Sequence, residues 1–558
     1  MAEPLTAPLP PRVGSASTAP VSVVRRNTVV VALVAIGAAL RVWQYAADMS
    51  MWFDEFSVAR NLHERSLAAL MLHPLGYDQI APLGFLAVEK MSALVLGPSD
   101  LALRLFPFLC AIAALFVFRR LATRALDPGA AIIALALFAI GPAFIRYSAE
   151  LKQYGVDVLA AIVLTLVVLE LRASPPSTRR CIAAGCVGLV IVWFSQVAVL
   201  VMSGLGAALL ICWLLQRDPT TLRLVIITVP IWAVASLAAV VVARHHAAPE
   251  TLAFMQQFWT QRQGFFPVPF SVGGTVVWIW KQIVDLFGVM MMYPWPVVYA
   301  VLTVVGFVTL WRQRRAVSLL LLGPVAMTFL ATAAHQYPFR TRLETFLLPG
   351  LLLSDAAAID WLRLRALAIR PAIGRAITTA LLVLPVFALW RTPPPYYTER
   401  FKPVFAYVQG RRQPGDAVYV FSYAYEAVDR YGSRYGIPAG TYVLGVCDEG
   451  DLRPFLQDVD QFRGLPRLWV ISASVPDFRV ARQTIGRYLR SIGVRRDSIV
   501  VPGRAPIDPV SAELYDLSDT ARLRSESAAA FPVPPPISQP LHPICHDWIR
   551  PTPSAGAR

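Results

Sequence analysis

Charge is the first thing this sequence lacks. Asp, Glu, Lys and Arg make up 15% of 558 residues, against about a quarter in an ordinary soluble domain. That excludes a typical soluble enzyme. Acid is scarcer than base: 35 Asp and Glu stand against 51 Lys and Arg, a formal net charge of +16. No basic run is interleaved with base-stacking aromatics, so the excess does not describe a nucleic-acid surface. Cytoplasmic loops of membrane proteins collect Lys and Arg and account for it. Cysteine is rare, with six in all. Cys110, Cys181, Cys186 and Cys212 fall in apolar stretches and read as small buried hydrophobes. There is no internal repeat, and no clean cleavage site follows "NTVVVALVAIGAAL". The Arg25-Arg26 flank therefore introduces a retained helix rather than a removed signal peptide. What is abundant is apolar: 56% of the residues, with a mean hydropathy of +0.54. The class is a polytopic α-helical membrane protein.

A helical span needs about 20 apolar residues. Spans are expected near 28–47, 101–118, 130–147, 155–171, 181–197, 198–215, 222–242, 293–311, 317–334, 345–361 and 376–391, about eleven in all. Basic residues recur at every second connection. They are Arg25-Arg26, then Arg119, Arg120 and Arg124, then Arg172, Arg179 and Arg180, then Arg217 and Arg223. Arg312, Arg314 and Arg315 follow, then Arg363, Arg365, Arg370 and Arg375. The positive-inside rule makes those connections and the N-terminus cytoplasmic. The loop 48–100, the corner 146–154, the loop 243–292 and the corner 335–344 are then extracytoplasmic, as is everything after the last span.

The ends differ in character. Residues 1–26 are rich in Pro, Ala and Ser and read as a disordered tail. After the membrane region 27–391, "TPPPYY" opens a stiff linker over 392–399. Beyond it "DAVYVFS", "TYVLGV", "RLWVISA" and "DSIVVPG" read as strands, with helical patterns between them. That predicts a small extracytoplasmic α/β domain over 400–520, followed by an irregular tail over 521–558. Cys447 and Cys545 lie outside the membrane, where they can pair as a disulfide or stay as thiols. "HPICHDW" also offers His542, Cys545 and His546 as metal ligands.

Polar residues of interest gather on one side. "SMWFDEF" sets Asp54 and Glu55 among aromatics directly after the first span. The rest of that loop suits helices lying in the interface. "PAFIRYSAELKQYGVDVL" brings Arg146, Glu150, Lys152 and Tyr154 to the second outer corner, and "HQYPFRTRLETF" brings Tyr337, Arg340 and Arg342 to another. A carboxylate at an interface can serve as general base toward a hydroxyl. Arg and Lys can hold a phosphate and take up the charge of a departing one. The bland alternatives are that Asp54 and Glu55 cap a helix, that the cations anchor span ends, and that Glu150 pairs with Arg146.

In order, "WFDEF", "IAPLGFLAVEK", "LALRLFPFLCAIAALF", the corner Ser148-x-Glu150-x-Lys152-x-Tyr154 and "YPFRTRLETFLLPG" resemble motifs of one superfamily. It is the GT-C superfamily of polyprenyl-phosphate-sugar-dependent glycosyltransferases, such as protein O-mannosyltransferases and lipid A aminoarabinose transferases. The resemblance covers about 28–391. It implies a GT-C-like fold in a bacterial inner membrane and an inverting hexosyl or pentosyl transfer. The donor would be a polyprenyl-phosphate sugar, and the acceptor a hydroxyl of a lipid, polysaccharide or protein. Asp54 would be the base. Glu55 would assist it or help bind a divalent metal, which some members use and others do not. Lys152, Arg342, Arg146, Arg340 and Lys90 would hold the donor phosphate, with Trp52, Glu150, Tyr154 and Tyr337 positioning substrate. Two departures stand out: Ala81-Pro82 replaces a His-Pro-Pro signature, and Lys152 replaces an Arg. The competing class is a transporter or flippase of envelope precursors, which would show inverted repeats and midplane ionisable groups.

Overall fold

The computed structural model describes residues 20–534 apart from 448–451, 474–478, 504–508, 520–521 and 523–526. Cys545, His542 and His546 lie outside the described residues. The apolar runs become helices because a lipid-facing backbone must satisfy its hydrogen bonds internally. In chain order they are α1 (Pro20–Ala46), α2 (Phe53–Glu64), α3 (Leu67–Leu72), α4 (Leu83–Leu96), α5 (Asp100–Ala125) and α6 (Pro128–Ile140). Then come α7 (Pro142–Arg146), α8 (Tyr154–Arg172), α9 (Thr178–Ile191), α10 (Ala198–Gln216), α11 (Pro219–Arg223) and α12 (Val229–His245). The series continues through α13 (Pro249–Gln261), α14 (Val272–Asp285), α15 (Pro296–Gln313), α16 (Arg315–Ala333), α17 (Leu348–Ile369) and α18 (Pro371–Arg391).

Ten helical segments among the described residues are long and apolar enough to cross a membrane. An eleventh is α6 with the helical corner Pro142–Ala149, bent by 49°. Pro142 supplies the bend, having no N–H to continue the ladder. Three expectations change. Helix α1 begins at Pro20, inside the expected tail. Helix α9 has only 14 residues, so 181–197 is not a full span. Helix α14, with the π-helical turn Leu286–Met290, is span-like in length although it falls in an expected loop. The loop before it and its last turn are tied to the corner after α16: Phe339 N donates to Gly264 O at 2.6 Å, and Arg340 pairs with Asp285 at 3.1 Å. Its last turn therefore lies at that corner, on the Asp54 face. The opposite face carries Arg120 and Arg124 on Glu170, and Arg314 on Asp127.

Small residues let the spans approach closely, as apolar solvent gives helices little other reason to associate. A Cβ on Gly306 of α15 would stand 1.9 Å from Ser354 O of α17, and one on Gly204 of α10 would stand 2.4 Å from the Gly323 backbone of α16.

The last part of the chain forms a five-stranded sheet of order β2-β1-β3-β5-β4. Its strands are β1 (Ala417–Val420), β2 (Val443–Leu444), β3 (Leu468–Ser472), β4 (Val494–Val501) and β5 (Val510–Asp516). Strand β1 is parallel to both neighbours, and β5 is antiparallel to β3 and β4. Helices α19 (Phe401–Gln409), α20 (Tyr425–Tyr431), α21 (Arg453–Asp460) and α22 (Arg479–Ile492) accompany it. Four strands sit where the sequence predicts them. The fifth was not predicted, because "VSAELYD" mixes in Ala, Glu and Leu and carries little β-branched signal.

The sheet region does not hang from a tether. Met51, Phe56, Leu62 and Phe85 of the first loop share one apolar core with Phe401, Phe405 and Tyr431. Phe56 packs edge-on to Phe401 and Tyr431, with centroids 5.9 and 5.8 Å apart. The proline-rich segment is stitched down as well. Tyr396 N donates to Gln44 Oε1 at 2.6 Å, and Gln44 Nε2 donates to Tyr396 O at 2.8 Å.

Candidate active site

Helix α2 starts at Phe53, immediately after the chain turns out of α1, with Trp52 as an extended N-cap residue. Its first turn carries Asp54 and Glu55, which suits the positive end of a helix dipole. The turn projects them in different directions, and their partners separate their roles. Neither is a side-chain cap.

Asp54 faces a cavity of about 1550 Å³. Its Oδ2 accepts from Arg342 Nη2 at 2.6 Å. The same guanidinium lies 4.9 Å from the Trp52 ring, and Trp52 Nε1 donates to Glu150 Oε1 at 2.7 Å. Arg146 closes the wall: its Nη2 donates to Thr398 Oγ1 at 2.7 Å, and its Nε stands 3.6 Å from Glu150. Lys152 is buried and donates from Nζ to Gln79 Oε1 at 2.6 Å. Burial pushes its ammonium below the ordinary lysine range, with Asp54 pulling it back. Burial likewise raises the Glu150 carboxyl, against the pull of Arg146. Arg340, Tyr154 and Tyr337 complete the polar lining, and the Tyr337 hydroxyl donates to Leu343 O at 2.8 Å. Glu150 stands behind Trp52, outside the lining. One cavity thus collects Asp54, Trp52, Arg146, Lys152, Tyr154, Tyr337, Arg340 and Arg342 from three separate corners of the chain.

Besides Glu150, two expected site residues are outside the lining. Glu55 is 2% exposed and does not line the cavity. Arg104 grips it as a fork, Nε to Oε1 at 2.8 Å and Nη2 to Oε2 at 2.7 Å, and Leu151 N donates to it at 2.7 Å. It joins the loop, α5 and the second corner, and breaking such a buried pair costs about 3–5 kcal/mol. Lys90 points the other way, donating to Leu62 O at 2.7 Å. A Lys on an interfacial helix has a stem long enough to reach either side, so its sequence position did not settle its direction.

A divalent metal finds no ready cage. Both Glu55 oxygens are held by Arg104, and no group of three or more His, Cys, Asp or Glu side chains that could hold a metal ion occurs among the described residues. Cys447 is disulfide-bonded, while Cys110, Cys181, Cys186 and Cys212 are free.

Several lining residues escaped the sequence reading: Gln79, Asp78, Thr398 and Tyr423, and beyond the polar wall Arg244 and Arg262. Nothing local marks Thr398 or Tyr423, which arrive from the linker and the sheet region, far along the chain from Asp54. Backbone conformation marks others. Tyr77, Asp78, His335 and Thr341 all line the cavity with φ of 61°, 49°, 54° and 47°. Left-handed backbone at non-glycine residues costs about 1–3 kcal/mol each and clusters at functional sites. Between α10, α12 and α13 the cavity continues as a mostly apolar arm lined by Leu200, Ala239, Leu252, Phe258 and Trp259, with Arg244 and Arg262 on its wall.

No protein-family model matches the chain, and no curated protein matches it. Among solved structures it is similar to ArnT from Cupriavidus metallidurans in the apo state, at 14% identity and a TM-score of 0.48. That match covers 88% of this chain and 98% of that one. It is also similar to the oligosaccharyltransferase AglB from Archaeoglobus fulgidus, in complex with an inhibitory peptide and a dolichol-phosphate. There the identity is 10% and the TM-score 0.47, over 89% of this chain and 75% of that one. Arabinofuranosyltransferase AftD from Mycobacteria gives 16% identity and a TM-score of 0.39, over 88% of this chain and 41% of that one. These are likenesses of chain trace at low identity. The functional reading rests on the cavity.

Proposed function

We propose that this chain is an inverting glycosyltransferase that moves a sugar from a polyprenyl-phosphate donor to a hydroxyl acceptor. One observation carries the reading: the carboxylate of Asp54, paired with Arg342, shares a cavity wall with Arg146, Lys152 and Arg340, and that cavity runs on into a mostly apolar arm. The cations suit a phosphate monoanion or diester, and the arm suits its hydrocarbon tail. Arg342 is held by Asp54. An arriving phosphate competes for that guanidinium and frees the carboxylate for its task.

The chemistry then follows from position. Asp54 takes the proton of the acceptor hydroxyl. The acceptor oxygen bonds to the anomeric carbon on the face opposite the phosphate. The bond from that carbon to the phosphate oxygen breaks, and its electron pair leaves on the lipid phosphate. Arg342 and Lys152 take up the added charge, which is worth most in a site screened from water. Lys152 acts as a point charge rather than a fork. Basic residues on the opposite face support a reaction on the extracytoplasmic side.

The test is Asp54→Asn. Loss of a general base lowers kcat by about 10²–10⁴-fold, with lipid-phosphate binding retained. Full turnover by a variant made at the wild-type level would remove Asp54 from the chemistry.

A further inference from the structure

The N-terminus of α2 presents a puzzle. Trp52 offers no side-chain cap, yet the first turn must hold Asp54 steady at the cavity. Orphan N–H groups at a helix start need an acceptor. For Phe53 it comes from 346 residues away: Glu399 Oε2 accepts from Phe53 N at 3.1 Å. Glu399 is 1% exposed, and its Oε1 is buried without a hydrogen bond. Its neighbours make the contact a joint rather than an isolated bond. Thr398 receives Arg146 at 2.7 Å, and Tyr423 stacks on Phe53 with ring centroids 5.0 Å apart and planes within 7°. Phe53, Asp54, Thr398 and Tyr423 all line the cavity.

We propose that Glu399 is a positioning residue for the transfer reaction: it caps α2 across the molecule and fixes the first helical turn, so that the linker into the sheet-bearing region forms part of the catalytic machinery. The inference rests on the reading of Asp54 as the base. Glu399 does not itself meet the reacting atoms. It sets where Asp54 points, and a misplacement of about 1 Å in such a group can cost about 100-fold in rate. A tethered accessory domain would have no such hold on the site.

The chemistry of the cap dictates the variants. Gln keeps an acceptor oxygen at the same reach. Asp keeps the carboxyl but falls one methylene short. Met keeps the volume and loses the acceptor. Turnover would be measured on purified full-length protein with a polyprenyl-phosphate sugar and a hydroxyl acceptor. Glu399→Met and Glu399→Asp should lower kcat by about 10- to 100-fold with little change in the donor KM, and Glu399→Gln should restore most of it. Hydrogen exchange over residues 50–58 should quicken in the Met and Asp variants and stay slow in Gln.

Full kcat in Glu399→Asp would overturn the proposal, as would unchanged exchange in that variant. A Gln variant as slow as Met would overturn it too, since charge rather than capping would then matter. If Glu399→Met fails to fold, the Asp and Gln pair still decides. The exchange measurement reads the cap without reference to Asp54. Faster exchange together with an active Asp54→Asn enzyme would keep the cap and discard the base.

Discussion

Two adjacent carboxylates, Asp54 and Glu55, end in different environments because consecutive residues of a helix point about 100° apart. Asp54 meets Arg342 in the cavity, while Glu55 meets Arg104 in the core. A third carboxyl, Glu399, makes a prediction at this scale. Burial pushes it up to about 8, against the pull of the Phe53 amide and the Tyr423 hydroxyl, with Asp54 adding to the rise. An unfolded Glu titrates near about 4.3. Between those values the folded chain binds the extra proton, so stability falls as pH rises through that window and levels off above it. Glu426, raised to about 7 by burial beside Arg60, adds to the same slope. Comparing melting temperatures of wild type and Glu399→Gln from pH 5 to 9 isolates the Glu399 share. The Gln variant should show the flatter profile, and parallel profiles would mean that Glu399 titrates like a solvated acid.

Among the elements, the spans transmit packing to the site. Helix α17 continues the 3₁₀ turn Thr341–Leu347, which carries Arg342. Its contact with α15 depends on Gly306, where an added methyl would meet Ser354 O at 1.9 Å. Gly306→Ala should push the two helices apart. The overpacking cost is about 1–3 kcal/mol, read as a lower melting temperature in detergent. Turnover should fall as well, because the shift moves Arg342 relative to Asp54. A lower melting temperature with wild-type kcat would show that the corner is insulated from the helix. The helices themselves were legible from apolar length, and most of their positions match. Two elements were misread: α9 has an apolar composition but only 14 residues, and α14 has span-like length within what reads as a loop.

For the whole molecule, the question is whether the sheet region is an accessory. The shared core of the first loop with α19 and α20 says that it is not. Ions reinforce the joint. Arg430 and Lys402 both reach Asp100, at 2.7 and 3.0 Å, and the Tyr431 hydroxyl donates to the same carboxylate at 2.5 Å. Arg60 pairs with Glu426 nearby. Removing residues 400–558 should therefore expose Met51, Phe56 and Phe85 and yield an aggregating, inactive protein. Size-exclusion chromatography in detergent and a turnover assay on a short acceptor check this. A monodisperse, active truncation would restore the picture of a tethered accessory.

The sequence by itself determined the membrane class, the helix positions, the alternation of basic connections and four of the five strands. Each of these follows from local composition or period. It also placed Asp54, Lys152, Arg146, Arg340 and Arg342 at chain corners, because such groups at span ends are legible one by one. Only the tertiary structure decided that these corners meet in one cavity, that Glu55 and Lys90 turn away from it, and that Glu399, Thr398 and Tyr423 arrive from the far end of the chain. The physical reason is reach. A hydrogen bond spans about 3 Å, whereas residues 53 and 399 are joined only by how the helices and sheet between them pack.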